Sequence, residues 1–263
     1  LALTMPTAGP LQVDYHIYGS EYTSEVAEPG YYGCELLAHG IKAEVSATTR
    51  TSVERYTFPE GQGNILVNFG EGLTNETGAW IRKVSTTEIE GMRLAGTFCY
   101  NPQALFPVYF AFRINKVPSE CGFWKMQPLL TGVEGEWTPD DGTYKIYEKY
   151  GREIAGDDIG YWFSFETAEG EQVELQMGVS FVSCENAWEN LDAEQTQLTP
   201  GVSNFETVRD AAEAAWESDL SRIKVSGGSE RDKEVFYSAL YHTLIHPSIL
   251  NDINGEYPLM ESD

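Results

Sequence analysis

The sequence predicts a mainly β fold, a sandwich or barrel of antiparallel strands, followed by helices. Three observations predict it. Two stretches alternate strictly between apolar and polar or small residues, Ile41 to Arg50 and Val173 to Phe181, which is the period of a strand. Turn residues recur about every 8–12 positions up to residue 185, enough for roughly ten strands. Beyond Cys184 the apolar spacing changes to that of a helix and stays so almost to the end.

The elements follow in order. Met5-Pro6-Thr7-Ala8-Gly9-Pro10 excludes helix and favours an extended lead-in, because proline lacks the N–H and glycine is entropically costly in a helix. Pro29-Gly30 is a turn signal, and Tyr31-Tyr32 begin a strand. In Ile41 to Arg50, Ile41, Ala43, Val45, Ala47 and Thr49 form one face and Lys42, Glu44, Ser46, Thr48 and Arg50 the other. One face is expected in the core and one in water. Arg55 to Phe58 and Asn64 to Phe69 read as short strands. Trp80 to Ile89 and Met92 to Tyr100 read as a hairpin turning at Glu90-Gly91. Val108 to Ile114 is an aromatic strand, residues 131–142 a loop, and Tyr161 to Phe165 a further strand.

The helical part opens after Thr199-Pro200-Gly201. Ser203 and Glu206 have the spacing of a capping box. Phe205, Val208, Ala212, Ala215, Trp216 and Ile223 fall near one helical face, and Gly227-Gly228 are expected to end that helix. Ser229 is placed to cap the next, whose apolar spacing runs to a stop at Pro247.

Composition narrows the function classes. With 41 acidic and 17 basic residues the net charge is −24, so nucleic acid is excluded as a partner for want of a basic patch. No apolar run is long enough for a transmembrane segment. The first residues carry no basic n-region of a signal peptide and read as the middle of a domain. Cys34, Cys99, Cys121 and Cys184 lie far apart without C-x-x-C spacing, which argues against zinc. Free buried thiols are expected, and one disulfide stays open if the protein is exported. The sequon Asn75-Glu76-Thr77 matters only in a glycosylating host.

Few residues have the spacing of a chemical site. His242 and His246 stand four apart, a spacing that can hold zinc, but Thr243 breaks the H-E-x-x-H pattern. Packing or capping is the better reading. Asn251 to Glu256 has the composition of half an EF-hand loop, yet counted from Asp252 its glycine falls at the fourth position instead of the sixth. It reads either as a tight turn at Asn254-Gly255 or as a polar loop facing a ligand. Asp140-Asp141 and Asp157-Asp158 read as solvated loops, not as a glycosidase pair. Neither G-x-S-x-G nor a Walker A loop occurs.

Several segments, taken together, resemble glycoside hydrolase family 92, the calcium-dependent exo-acting α-mannosidases. They are Met5-Pro6-Thr7 through Gly9-Pro10, Glu25-x-Ala27-x-Pro29-Gly30-Tyr31-Tyr32, Ile41-Lys42-Ala43-Glu44 with Ala47-Thr48-Thr49-Arg50, and Arg55 to Pro59. Later come Gly178 to Ser183 running to Ala187-x-x-Asn190-Leu191, Phe236 to Thr243 with His246-Pro247, and Asp252 to Tyr257. Each alone is weak, but together they span nearly the whole chain in the family's order.

The resemblance implies an antiparallel β-sandwich over 1–197, a helical linker over 198–228, and over 229–263 the start of an (α/α)6 catalytic barrel. It implies inverting hydrolysis of terminal α-linked mannose, calcium as cofactor, and mannose-containing glycans as partners. The C-terminal helical domain of the same parent protein would be the other partner. It also implies a secreted, periplasmic or cell-surface location, in a bacterium. The family's catalytic carboxylates and calcium ligands are expected mostly beyond Asp263, so no catalytic residue and no metal ligand carries over and the chain alone is expected to be inactive. Asp252 and Tyr257 are the candidate substrate-binding residues; the rival role for their loop is to fix the sandwich against the barrel. A competing reading is a non-catalytic carbohydrate-binding or adhesion module with Trp80, Trp124, Trp137 and Trp162 as sugar platforms, of which Trp162 reads better as core.

Overall fold

A computed structural model of the chain describes residues 3–70, 77–96, 105–127, 143–148, 152–246 and 248–259. Along them run strands β1 (Leu3–Ala8), β2 (Tyr22–Glu28), β3 (Tyr31–Leu36), β4 (Ile41–Ala47), β5 (Thr51–Phe58), β6 (Gly61–Asn68), β7 (Thr77–Lys83), β8 (Glu88–Ala95), β9 (Phe106–Ile114), β10 (Glu120–Gln127), β11 (Thr143–Tyr147), β12 (Glu153–Gly156), β13 (Ile159–Thr167) and β14 (Glu171–Ser180). The helices are α1 (Tyr15–Tyr18), α2 (Cys184–Glu194), α3 (Phe205–Leu220) and α4 (Glu230–Leu244).

Two antiparallel sheets face each other. One has five strands in the order β1-β6-β13-β10-β11, the other nine in the order β12-β7-β8-β9-β14-β5-β4-β3-β2. The core between them is built from alternate residues such as Tyr56 and Phe58, Phe110 and Phe112, Tyr161 and Phe163. Pro6 sits in β1, an edge strand, where the missing N–H costs no ladder bond.

Both outer faces are covered as well. Val13 and Tyr18, from the segment after β1, pack on Leu66, Trp124 and Trp162 outside the five-stranded sheet. Outside the nine-stranded sheet, α2 seats Ala187 and Leu191 on Ala111, and α3 seats Phe205 and Val208 on Val53. The close fit of α2 depends on Gly178, where a Cβ would stand 2.2 Å from the Ala187 carbonyl oxygen.

This double coverage corrects the reading of Ile41 to Arg50. Its polar face is wet only in part: Glu44 and Ser46 are buried, while Lys42 stays exposed. The Glu44 carboxylate accepts from Arg55 Nε at 2.9 Å and Nη2 at 3.0 Å, from Lys42 Nζ at 3.0 Å and from the Tyr31 hydroxyl at 2.9 Å. Arg55 also donates to Glu206 of α3 at 2.6 Å and lies over the Phe205 ring. A period-2 pattern cannot tell water from a polar layer under a helix, because both accept charged side chains.

Other local readings change for equally concrete reasons. Glu90-Gly91 is not a turn but the middle of β8, paired with Arg82 and Ile81. The chain reverses between Lys83 and Glu88 instead. No capping box forms at Ser203 and Glu206. Ser203 Oγ donates to Glu174, Glu206 is drawn to Arg55, and Asn204 is the N-cap, without a side-chain bond. Helix α3 stops at Leu220, well before Gly227-Gly228, since Ile223 finds no buried surface and is half exposed. Trp124 and Trp162 are both buried in the layer beneath residues 9–18, so Trp124 is no sugar platform. The Pro29-Gly30 turn between β2 and β3 forms as read, with Gly30 at φ +88°. Ser229 caps α4 in a capping box with Asp232. Cys34, Cys121 and Cys184 are free thiols. Asn75, Cys99, Trp137 and Asp140-Asp141 lie outside the described residues.

Candidate functional site

The polar loop at Asp252 to Tyr257 lies over the end of β14 and against α2, through Ser180, Asn186, Glu189 and Asn190. Locally it is a turn. Gly255 adopts φ +88°, its N–H donates to the Asp252 carbonyl at 2.9 Å, and the Asp252 N–H donates to the Glu256 carbonyl at 2.8 Å. Asparagine and glycine are the residues that form such turns without strain.

The turn is held by Asp252, which is 3% exposed. Its Oδ2 accepts from Ser180 Oγ at 2.7 Å and from Asn186 Nδ2 at 2.8 Å; its Oδ1 accepts from Asn190 Nδ2 at 2.7 Å. Asn190, fully buried, also accepts from the Ile253 N–H at 2.8 Å and donates to the Val179 carbonyl at 2.9 Å. Asn186 donates in addition to Glu256 at 2.8 Å. A buried carboxylate without a cation survives only when its lone pairs are satisfied, and three neutral donors do that here.

A second clamp lies beside the first. Arg50, in the turn between β4 and β5, donates through Nε to the Asn251 carbonyl at 2.7 Å and through Nη1 to Glu194 at 2.7 Å. Glu194 accepts further from the Arg50 N–H at 2.9 Å and from Thr48 Oγ1 at 2.6 Å. Between the clamps is an open groove of about 280 Å³, walled by Thr48, Arg50, Met177, Phe181, Leu250 and Asp252 among others.

The two sequence candidates therefore part company. Asp252 turns into the sandwich with both oxygens engaged, whereas Tyr257 is 65% exposed. His242 and His246 lie on the surface. Asp157 accepts from the Gly78 N–H at 2.8 Å, and Asp158 accepts from the Tyr144 hydroxyl at 2.9 Å. Burial pushes the Asp158 carboxyl up against the opposing pull of Tyr144 and Arg93. Among the described residues no three His, Cys, Asp or Glu side chains gather as a metal site. Glycoside hydrolysis needs two carboxylates flanking one bond. Along the groove the carboxylates of Asp252 and Glu194 are each engaged by several donors, an arrangement that anchors the loop.

Reasoning from sequence missed Ser180, Asn186, Asn190, Arg50 and Glu194. A signal for two of them was present: Asn186 and Asn190 are four apart and share one helical face.

Residues 2–180 match the model of the glycosyl hydrolase family 92 N-terminal domain, and residues 186–263 match that of the family 92 catalytic domain. The chain belongs to glycosyl hydrolase family 92. Asp252 and its loop thus fall within the catalytic-domain match, while Ser180 closes the N-terminal one. Among solved structures, the family GH92 α-mannosidase BT3965 from Bacteroides thetaiotaomicron superposes with a TM-score of 0.79 at 25% identity, covering 97% of this chain and 33% of that one. BT3965 has also been solved in complex with mannoimidazole. The inverting mannosidase BT2199 from the same organism, at 23% identity and TM-score 0.76 over 97% of this chain and 31% of its own, shares the fold. An uncharacterized secreted glycosidase of Arthroderma benhamiae is 25% identical over 256 residues, 90% of this chain and 30% of the relative. This family 92 chain spans about a third of the length of each. Among its described residues no helix is long and apolar enough to cross a membrane.

Proposed function

We propose that the protein carrying this chain is an exo-acting α-mannosidase that removes terminal α-linked mannose from glycans with inversion. This chain would supply its sandwich and the opening part of its helical catalytic domain. The observation that carries the reading is the seat of Asp252: the opening of the catalytic-domain match is bound into the sandwich by buried hydrogen bonds. Support comes from the family and from the likeness to BT3965, an α-mannosidase that binds mannoimidazole.

In such a reaction a general acid protonates the departing oxygen while a carboxylate base activates water on the opposite face of the sugar. No pair of carboxylates along the groove is placed for those roles, so in this reading they come from the remainder of the protein, and the chain alone is inactive. Calcium, the cofactor of this reading, does not fit the residues present. Both oxygens of Asp252 are already engaged by three neutral donors, Ser180, Asn186 and Asn190, and metal binding would compete with those bonds. Its oxygen ligands are assigned to the remainder as well. Tyr257 is the residue here that is free to stack on a sugar, being exposed at the end of an anchored loop. The location of this reading is outside the cytoplasm, as for the secreted relative from Arthroderma benhamiae.

The experiment is hydrolysis of α-mannobiose by the full-length protein and by the 263-residue chain, each with and without a calcium chelator, the anomer of the product being read by NMR. Chelator-sensitive release of β-mannose by the full-length protein alone is expected. Release of the α-anomer would overturn inversion, chelator-resistant turnover would overturn the calcium role, and turnover by the short chain would overturn its inactivity.

A further inference from the structure

The two sheets of the sandwich carry no disulfide between their described cysteines, yet one amine and one thiol meet across them. Lys83 closes β7 in the nine-stranded sheet, and Cys121 lies in β10 of the five-stranded sheet. Lys83 follows Ala79 and Ile81 in strand parity, and both of those point into the core between the sheets. Its ammonium therefore starts inward and donates to Cys121 Sγ at 3.4 Å. The backbone is fixed at this point by the bond from the Lys83 N–H to the Arg152 carbonyl at 2.7 Å. Cys121 packs against the same core and is half-buried, as is Lys83.

A third group completes the cluster. The Tyr161 hydroxyl is fully buried beside Cys121. Burial, and then the neighbouring Cys121, push its pKa up. The remaining described thiols are placed differently. Cys34 and Cys184 are buried, and burial followed by the charge of Glu90 pushes Cys184 up to about 12, which disfavours its thiolate.

We propose that Lys83 and Cys121 are the site of an oxidative covalent cross-link that staples the two sheets together, with a peroxide as oxidant. In the first step the thiol sulfur attacks one peroxide oxygen. The O–O bond breaks, the S–H proton leaves with the second oxygen as water, and the sulfur becomes a sulfenic acid. In the second step the Lys83 amine, in its neutral form, attacks that sulfur. The N–S bond forms, the S–O bond breaks, and hydroxide takes one amine proton to leave as water. The sum is one thiol, one amine and one hydrogen peroxide giving one sulfenamide and two waters, with two electrons passed from sulfur to the peroxide. Backbone nitrogens are known to close on sulfenic acids in this way, and a nitrogen at 3.4 Å is already at attack distance. The half-burial of both groups admits a small peroxide while hindering the larger thiols that would reverse the bond. Closing the chain between positions 83 and 121 restricts the unfolded state, so the linked form unfolds at a higher temperature.

The test uses the intact protein. It is treated with hydrogen peroxide, remaining thiols are alkylated, and tryptic peptides are analysed by mass spectrometry before and after a thiol reductant. The expected result is a linked pair of peptides containing Lys83 and Cys121, two hydrogens lighter than their sum, uncleaved at Lys83, and released by the reductant. Lys83→Arg keeps the charge and stem but removes the link, as does Cys121→Ser. Should either variant fail to fold, reversal by reductant in the unsubstituted protein decides alone. Cys121 recovered as sulfinic or sulfonic acid with Lys83 free to trypsin, or a thiol that the peroxide leaves alkylatable, would overturn the proposal.

Discussion

Asp252 Oδ1 and Asn190 Nδ2 meet at 2.7 Å with both residues buried, 3% and 0% exposed. One belongs to the loop after α4 and the other to α2, so a single hydrogen-bonded pair joins segments 62 residues apart. Replacing Asp252 by Ala leaves the buried Ser180 hydroxyl without its acceptor and takes one of two acceptors from Asn186, which keeps Glu256, and from Asn190, which keeps the Val179 carbonyl. The expected cost is about 3 kcal/mol, read as a lowered urea midpoint, with faster proteolysis within residues 248–259. Tyr257→Ala, at an exposed site, is expected to stay within about 0.5 kcal/mol of the parent; a larger loss would show that the ring is packed and not available to a sugar.

The layer beneath α3 gives a pH dependence. Burial raises the Glu44 carboxyl, but hydrogen bonds from Arg55, Lys42 and Tyr31 outweigh it and hold it at about 2, against 4.5 for an ordinary glutamate. A depressed carboxyl contributes stability that is complete above the unfolded value and lost as pH falls toward the folded one. The window is therefore pH 4.5 down to about 2. The contribution is on the order of 2 kcal/mol after allowance for the solvent-exposed Lys42. Glu44→Gln should lose stability at pH 6 and unfold with a flatter acid limb; an unchanged limb would remove Glu44 from the account.

Glu54 behaves in the opposite sense. It points into the space between the sheets, buried, with a hydrogen bond from the Tyr56 hydroxyl and no ion pair among the described residues. Burial raises its carboxyl, and the bonds from Thr4 and Tyr56 only partly oppose this. A raised carboxyl costs stability as pH climbs above the unfolded value of 4.5, because the unfolded chain ionises first. Glu54→Gln is expected to raise the thermal midpoint at pH 7 to 8 and to leave it unchanged near pH 4. An equal gain at both pH values would point to packing instead of charge.

Gly30 is constrained twice. It turns at φ +88°, and a Cβ there would stand 3.0 Å from Ala212 Cβ and 3.1 Å from backbone atoms of Ala212 and Glu213 in α3. Gly30→Ala is expected to cost about 2–3 kcal/mol, from left-handed strain together with displacement of the helix. Urea unfolding measures it. A loss of no more than about 1 kcal/mol would mean that α3 yields without cost.

What was legible in the sequence follows from short-range physics. Alternation in Val173 to Phe181 marks a strand because successive side chains point to opposite faces, and β14 forms there. Pro29-Gly30 acts through its own backbone and Ser229 through a side chain that reaches only three residues on, and both act as read. Composition and turn spacing were enough for the mainly β class, and the order of the quoted segments was enough for the family.

The tertiary structure alone decided what lies above each face and what each polar group bonds to. Glu44 and Lys42 occupy the same face in sequence, yet one is buried and the other half exposed, because α3, more than 150 residues later, covers only one of them. Ser203 and Glu206 have the spacing of a cap, but Glu174 and Arg55 compete for them across the sheet and win. Asp252 reads equally well as a ligand-facing carboxylate and as an anchor until Ser180, Asn186 and Asn190 converge on it. A carboxylate's role is set by the donors that reach it, and donors from distant segments are brought together only by folding.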